Sequence, residues 1–206
     1  MFNQHYAALR AAQTVKDDDG KSFDDHVFAC VVSAALTDQA ATGLALTDGL
    51  GLTRAETAAL FQARFPLSAA PLCLERAGDP TREMEENLLR DMLASYGAGR
   101  GAESGWLAAI VARRAMGDDH LWQDMGLSNR GEVSRLLARH FPALHAANVK
   151  NMRWKKFFYR RLCELDGFSL CAAPHCSVCA DFASCFGDED GLSRLAMAGR
   201  EAPALE

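Results

Sequence analysis

The sequence predicts an all-α fold, a compact multi-helix domain followed by a cysteine-rich loop near the C-terminus. Apolar residues recur at spacings of three and four along most of the chain, the period of a helix with one buried face. Helix-start chemistry precedes several of these stripes. No pair of alternating apolar stretches is joined by the glycine and asparagine turns that make a hairpin, and no internal repeat interrupts the pattern. At 206 residues the chain is long enough to bury a hydrophobic core.

In chain order, Phe2, Tyr6, Leu9 and Ala12 form the first stripe, over Phe2 to Val15, and Asp17-Asp18-Asp19-Gly20 ends it as a solvated turn. Ser22 is the expected cap of the next helix, with Asp24 and Asp25 stabilising its positive end. That helix runs through Val27, Cys30, Val31 and Ala34 and fades at Thr37-Asp38, with Cys30 a small buried hydrophobe. Residues 42–52 read as a loop; their glycines make no phosphate cradle, because no strand precedes them and no Gly-Lys-Ser/Thr follows.

Thr53-Arg54-Ala55-Glu56 is a capping box, in which Thr53 and Glu56 each satisfy the other's backbone N–H. Its helix ends at Phe65-Pro66. Asp79-Pro80 predicts another start, with core residues Met84, Leu88, Met92 and Leu93 and a solvated first turn of Glu83, Glu85 and Glu86. Gly97-Ala98-Gly99-Arg100-Gly101 then breaks the chain before a helix over Ser104 to Met116. The break divides an N-terminal helical part, residues 1–100, from a C-terminal part, 101–190, and a tail, 191–206, all within one structural unit.

Between Gly117 and Leu137 a short helix, a glycine turn and a helix from Ser128 permit a helix-turn-helix reading. Such junctions are common in all-α proteins, and nucleic acid is not the expected partner. From Lys150 to Arg161 six cations and four aromatics occur without an acid. On a helix, Trp154, Phe157, Phe158, Arg161 and Leu162 share one side, and Lys155, Lys156, Tyr159 and Arg160 reach outward. One reading is an amphipathic helix with its lysines in water. The other is a local positive field, Lys155, Lys156 and Arg160, that would attract an acidic partner, a nucleic acid or a small oxyanion in a chain of net charge −5.

The most informative stretch follows. Four of the seven cysteines, Cys171, Cys176, Cys179 and Cys185, are spaced C-x4-C-x2-C-x5-C. Thiolates select zinc, copper(I) or iron–sulfur clusters over hard cations. An odd cysteine count and the lack of a secretory signal argue against a disulfide framework. A four-thiolate zinc site draws on two C-x2-C-like knuckles, and only one is present. Crowding of cysteines into one short loop favours an iron–sulfur cluster, with zinc as the alternative and simple buried or reactive thiols behind both. His175, beside Cys176, and His120, preceded by Asp118 and Asp119, are the candidate auxiliary ligands. No catalytic constellation stands out, so the expectation is a binding protein and not an enzyme. Reduced thiols, no signal segment and no bilayer-length apolar run point to the cytoplasm.

His120-Leu121-Trp122-Gln123-Asp124, Asn129-Arg130, His140-Phe141-Pro142, Met152-Arg153-Trp154-Lys155-Lys156-Phe157-Phe158-Tyr159 and the cysteine run ending Cys185-Phe186-Gly187 occur in one order. Together they resemble the NifQ family of nitrogen-fixation proteins, over roughly residues 115–190. The resemblance implies a metallochaperone of iron–molybdenum cofactor biosynthesis. It would hold a molybdenum–iron–sulfur cluster on the four thiolates, with an iron–sulfur cluster as precursor, and supply molybdenum to nitrogenase. Implied partners are nitrogenase cofactor-assembly proteins, an iron–sulfur cluster donor, and molybdate or another molybdenum source; no membrane is expected. The rival expectations are a zinc-stabilised helical binding module for nucleic acid or protein, and a simple iron–sulfur redox protein.

Overall fold

A computed structural model describes residues 1–13, 19–68, 78–99 and 101–165, and of residues 19–21 the backbone alone. The described residues form helices and no strand: α1 (Phe2–Ala11), α2 (Asp19–Thr42), α3 (Leu46–Leu50), α4 (Arg54–Arg64), α5 (Met84–Ser95), α6 (Ala102–Ala115), α7 (Leu121–Asp124), α8 (Arg130–His140), α9 (Pro142–Ala147) and α10 (Trp154–Leu165). The all-α expectation holds for them. The cysteine loop lies outside the described residues.

Two helices, α2 and α6, make the centre. Val27 to Val32 and Trp106 to Ala112 are buried without a break, so neither helix keeps a continuous wet face there. Phe28 of α2 meets Trp106 of α6 edge to face at 6.4 Å. Each fully buried Phe or Leu of this core contributes about 1.5–3 kcal/mol relative to exposure. The buried hydroxyl of Ser33 returns to its own helix, donating to the Ala29 carbonyl at 2.6 Å. One core cluster takes in residues from α1 through α10, on both sides of the Gly97–Gly101 break. No described helix is long and apolar enough to cross a membrane.

The Thr53–Glu56 capping box is present as expected, with Glu56 N–H donating to Thr53 Oγ1 at 3.2 Å and Thr53 N–H to Glu56 Oε2 at 2.8 Å. Other boundaries differ. The second helix begins before Ser22 and continues to Thr42, which places Asp24 and Asp25 beyond its first turn. They are claimed by distant arginines instead: Arg64 reaches Asp25 at 2.7 Å and Arg139 reaches Asp24 at 2.8 Å. Within the expected 42–52 loop, Leu46–Leu50 coils into α3. Gly51 ends it in a left-handed conformation, φ +66°, where a Cβ would lie 2.8 Å from Arg113 Cβ.

Asp79-Pro80 does not start a helix. Asp79 Oδ1 accepts the Arg54 N–H at 3.0 Å, so its carboxylate serves the N-terminus of α4 and not its own segment. Residues 78–83 form no helix, with Arg113 donating to the Thr81 carbonyl at 2.6 Å, and α5 starts only at Met84. Met92 and Leu93 are buried and Glu83 and Glu85 exposed as expected, but the first half of the helix differs. Met84 is 79 % and Leu88 41 % exposed, while Glu86 is 2 % exposed and paired with Arg113 at 3.1 Å. Burial raises the Glu86 carboxyl despite Arg113, Arg82 and Arg90 nearby.

Candidate functional site

The cysteine run is joined to the helical body through α10. Trp154, Phe157 and Phe158 are buried and Leu162 packs on the core, so the aromatic side of this helix faces inward as its spacing predicts. Trp154 stacks on His145 at 5.7 Å and donates its indole N–H to Ser134 Oγ at 3.1 Å. Further along, Arg161 donates to Tyr96 Oη from Nε at 3.1 Å, which fixes the C-terminal half to the end of α5.

The outward side is not the one expected. Lys155 turns inward: its ammonium pairs with Asp124 Oδ2 and donates to the Gly117 carbonyl at 2.6 Å. Tyr159 also turns in, its hydroxyl reaching Met116 Sδ at 3.7 Å, and burial followed by the Glu85 carboxylate pushes its phenol up to about 12. Arg160 is half-buried and paired with Glu164 at 3.0 Å. Of the three predicted docking cations, Lys156 alone is exposed.

Asp124 belongs to the His120–Asp124 motif, and its role is now structural. Burial raises its carboxyl, and the Lys155 ammonium only partly counters that effect. The ion pair latches the start of α10 to α7. His120 sits at the N-cap of α7, half-buried, its backbone N–H donating to Gln123 Oε1 at 3.2 Å. The Lys155 pairings with Asp124 and the Gly117 carbonyl bring the segment that carries His120 to the start of α10, whereas the cysteine run follows its end.

Cys171, Cys176, Cys179, Cys185 and His175 lie outside the described residues. Among the described residues no group of three or more His, Cys, Asp or Glu side chains is arranged to hold a metal ion. Cys30 is buried, its thiol raised chiefly by burial and then by Glu132, and is unsuited to act as a thiolate ligand. Cys163 is half-buried on α10.

Two polar networks were not legible in the sequence. Asp24 Oδ1 meets His140 Nε2 at 3.1 Å, and Arg139 holds both carboxylate oxygens at 3.0 and 2.8 Å. Burial alone would raise the Asp24 carboxyl; hydrogen bonds from His140 and Arg139 outweigh it and hold the group well below the usual carboxylate range. Ser104 Oγ lies 3.5 Å from His140 Nδ1, and Ser104, His140 and Asp24 are all buried. The other network links Tyr6, His26 and Glu132, at 2.8 Å and 3.2 Å. The pairings with Asp24 and Glu132 join residues more than a hundred positions apart, beyond any local pattern.

The NifQ family model matches residues 27–187, a span that contains all four clustered cysteines. "Protein NifQ homolog" of Sinorhizobium fredii is 45% identical over 172 residues, covering 83% of this chain and 75% of that protein. "Protein NifQ" of Rhodobacter capsulatus is 41% identical over 153 residues, with 73% and 83% covered. That of Azotobacter vinelandii is 41% identical over 152 residues, with 68% and 78% covered. No solved structure matches the chain.

Proposed function

The chain belongs to the NifQ family, and on that premise we propose that it carries molybdenum for nitrogenase iron–molybdenum cofactor biosynthesis. The cargo is a molybdenum–iron–sulfur cluster held on Cys171, Cys176, Cys179 and Cys185. The observation that carries this reading is the family match, which runs through the whole C-x4-C-x2-C-x5-C run. The donor set suits the cargo, since clustered thiolates bind iron–sulfide units and soft metal centres.

The helical body acts as a handle. α10 is fixed at its start by the Lys155–Asp124 latch and along its side by Trp154, Phe157 and Phe158, so its last turn is a firm departure point for the cargo-bearing segment. His120 and His175 are the auxiliary ligands of this reading. The protein is a carrier and not a catalyst. It receives iron–sulfur units from a cluster donor and molybdenum from molybdate or another source, and hands them to cofactor-assembly proteins in the cytoplasm.

The test is iron, sulfide, molybdenum and zinc content after oxygen-free purification from molybdate-supplied cells. Iron and sulfide with molybdenum in a defined ratio, lost in Cys176→Ala, are the expected result. Iron and sulfide without molybdenum, even after loading, would indicate a redox protein. One zinc per chain and nothing else would replace the carrier by a zinc-stabilised module.

A further inference from the structure

We propose that the groove between the α9–α10 loop and the second half of α10 is the seat of this chain's own residues 166–170, with the Phe168 ring in it, so that the cysteine run starts pinned to the helical body. The inference holds whatever the cysteines bind, and so goes beyond the carrier reading. The groove measures about 110 Å³. Met152 and Phe157, both buried, form its floor, and Val149, 85 % exposed, edges it. A closed cavity of about 150 Å³ takes a benzene, so an open groove of this size has room for one apolar side chain and not for a helix.

The groove is built before anything fills it. Asn148 and Met152 exchange two hydrogen bonds, Nδ2 to the Met152 carbonyl and Met152 N–H to Oδ1, each 2.9 Å. Asn151 between them is in the left-handed region, φ +53°, the one described non-glycine residue there. One Arg130 nitrogen donates to the Asn151 carbonyl at 3.1 Å, to its Oδ1 at 2.9 Å and to the Met152 carbonyl at 2.7 Å. A wall already held in place loses little freedom when a side chain seats against it.

Charge does not choose the occupant. Glu164 lies in the same lining as Arg160 and Arg161 and pairs with both, at 3.0 and 2.9 Å. Chain length and side-chain type choose it. The lining reaches Glu164, the last residue but one of α10, and the middle of the groove lies about 6 Å back along the helix axis, level with Arg160 and Arg161. The chain leaves Leu165, itself 57 % exposed, as Asp166-Gly167-Phe168-Ser169-Leu170 before Cys171. Phe168 and Leu170 stand three and five residues past Leu165, at most about 10 and 17 Å of chain, so both reach the groove. Gly167 suits the reversal this needs, since glycine just past a helix takes up the left-handed conformation that turns the chain. With Phe168 seated, Cys171 starts within about 10 Å of the groove, beside the braced loop, and does not swing from the end of α10.

The experiment places a photoreactive diazirine side chain at position 149 of the full chain, metal-free and metal-loaded, and maps the cross-links by mass spectrometry after illumination. The probe replaces an exposed residue, and circular dichroism checks the fold. Cross-links within one chain from position 149 to residues 166–170 are the expected result in both forms. Phe168→Asp with Leu170→Asp is expected to lower their yield about tenfold, because a carboxylate gives up its water on entering an apolar groove, while Phe168→Leu keeps most of it. An equal yield in the double aspartate variant would show nearness by tethering alone and would overturn the proposal. Cross-links that join two chains would assign the groove to a second copy and overturn it too, as would links confined to residues outside 166–170.

Discussion

Replacing Asp24 by alanine removes the one carboxylate that joins α2 to α8 through both Arg139 and His140. Arg139 sits partly in water and can turn outward, but His140 is fully buried and loses the acceptor of its Nε2. Breaking a buried pair by removing one partner costs about 3–5 kcal/mol. The escape of Arg139 places Asp24→Ala near the lower end, about 3 kcal/mol, against a total stability of about 5–15 kcal/mol. Asp24→Asn keeps the shape and an acceptor and costs about 1–2 kcal/mol. Urea unfolding, followed by helical circular dichroism and by fluorescence of Trp106, Trp122 and Trp154, measures both.

The pH dependence carries a sign. The folded-state value of Asp24 is depressed below the ordinary 3.8, so its contribution is full above that value and is lost as pH falls toward the folded one. The gap between the parent chain and Asp24→Asn is therefore constant from pH 7 to about 5 and narrows by about 1 kcal/mol at pH 3. A cost below about 1 kcal/mol for Asp24→Ala, or a gap unchanged at pH 3, would refute the reasoning.

Two further substitutions test other parts of the body. Gly126 holds φ +70°, and a Cβ there would lie 2.8 Å from the Phe2 ring and 3.0 Å from the Cys30 carbonyl. Gly126→Ala is expected to lower stability by at least about 1–2 kcal/mol, read as a fall in the thermal midpoint. Lys155→Met leaves Asp124 buried without its ammonium, at about 2–3 kcal/mol near neutral pH. Because burial already raises the Asp124 carboxyl, that loss shrinks as pH falls and the acid becomes neutral, and Asp124→Asn in the same chain restores most of the thermal midpoint.

What was legible in the sequence depended on short-range physics. The capping box at Thr53–Glu56 involves residues three apart, and the buried stripe of α10 involves residues three and four apart, so local spacing carried both. The same logic misled where a side chain served a distant backbone. Asp79 resembled a cap for its own segment and is used by Arg54, 25 residues earlier. Lys155 resembled a solvated lysine, because nothing within a few turns of it announces Asp124, 31 residues away. On α5 spacing placed Met92 and Leu93 in the core correctly and failed at Met84 and Leu88, exposed, and at Glu86, which faces inward to meet Arg113.

By itself the sequence determined the helical class, the family and the thiolate run, since each is a property of neighbouring residues or of their order along the chain. Tertiary structure alone decided which charges are spent inside the fold: Asp24 on Arg139 and His140, Asp124 on Lys155, Glu86 on Arg113. The physical reason is desolvation. Whether an ionised side chain remains a surface cation or becomes a buried tie depends on what packs over it, and that is set by helices remote in sequence.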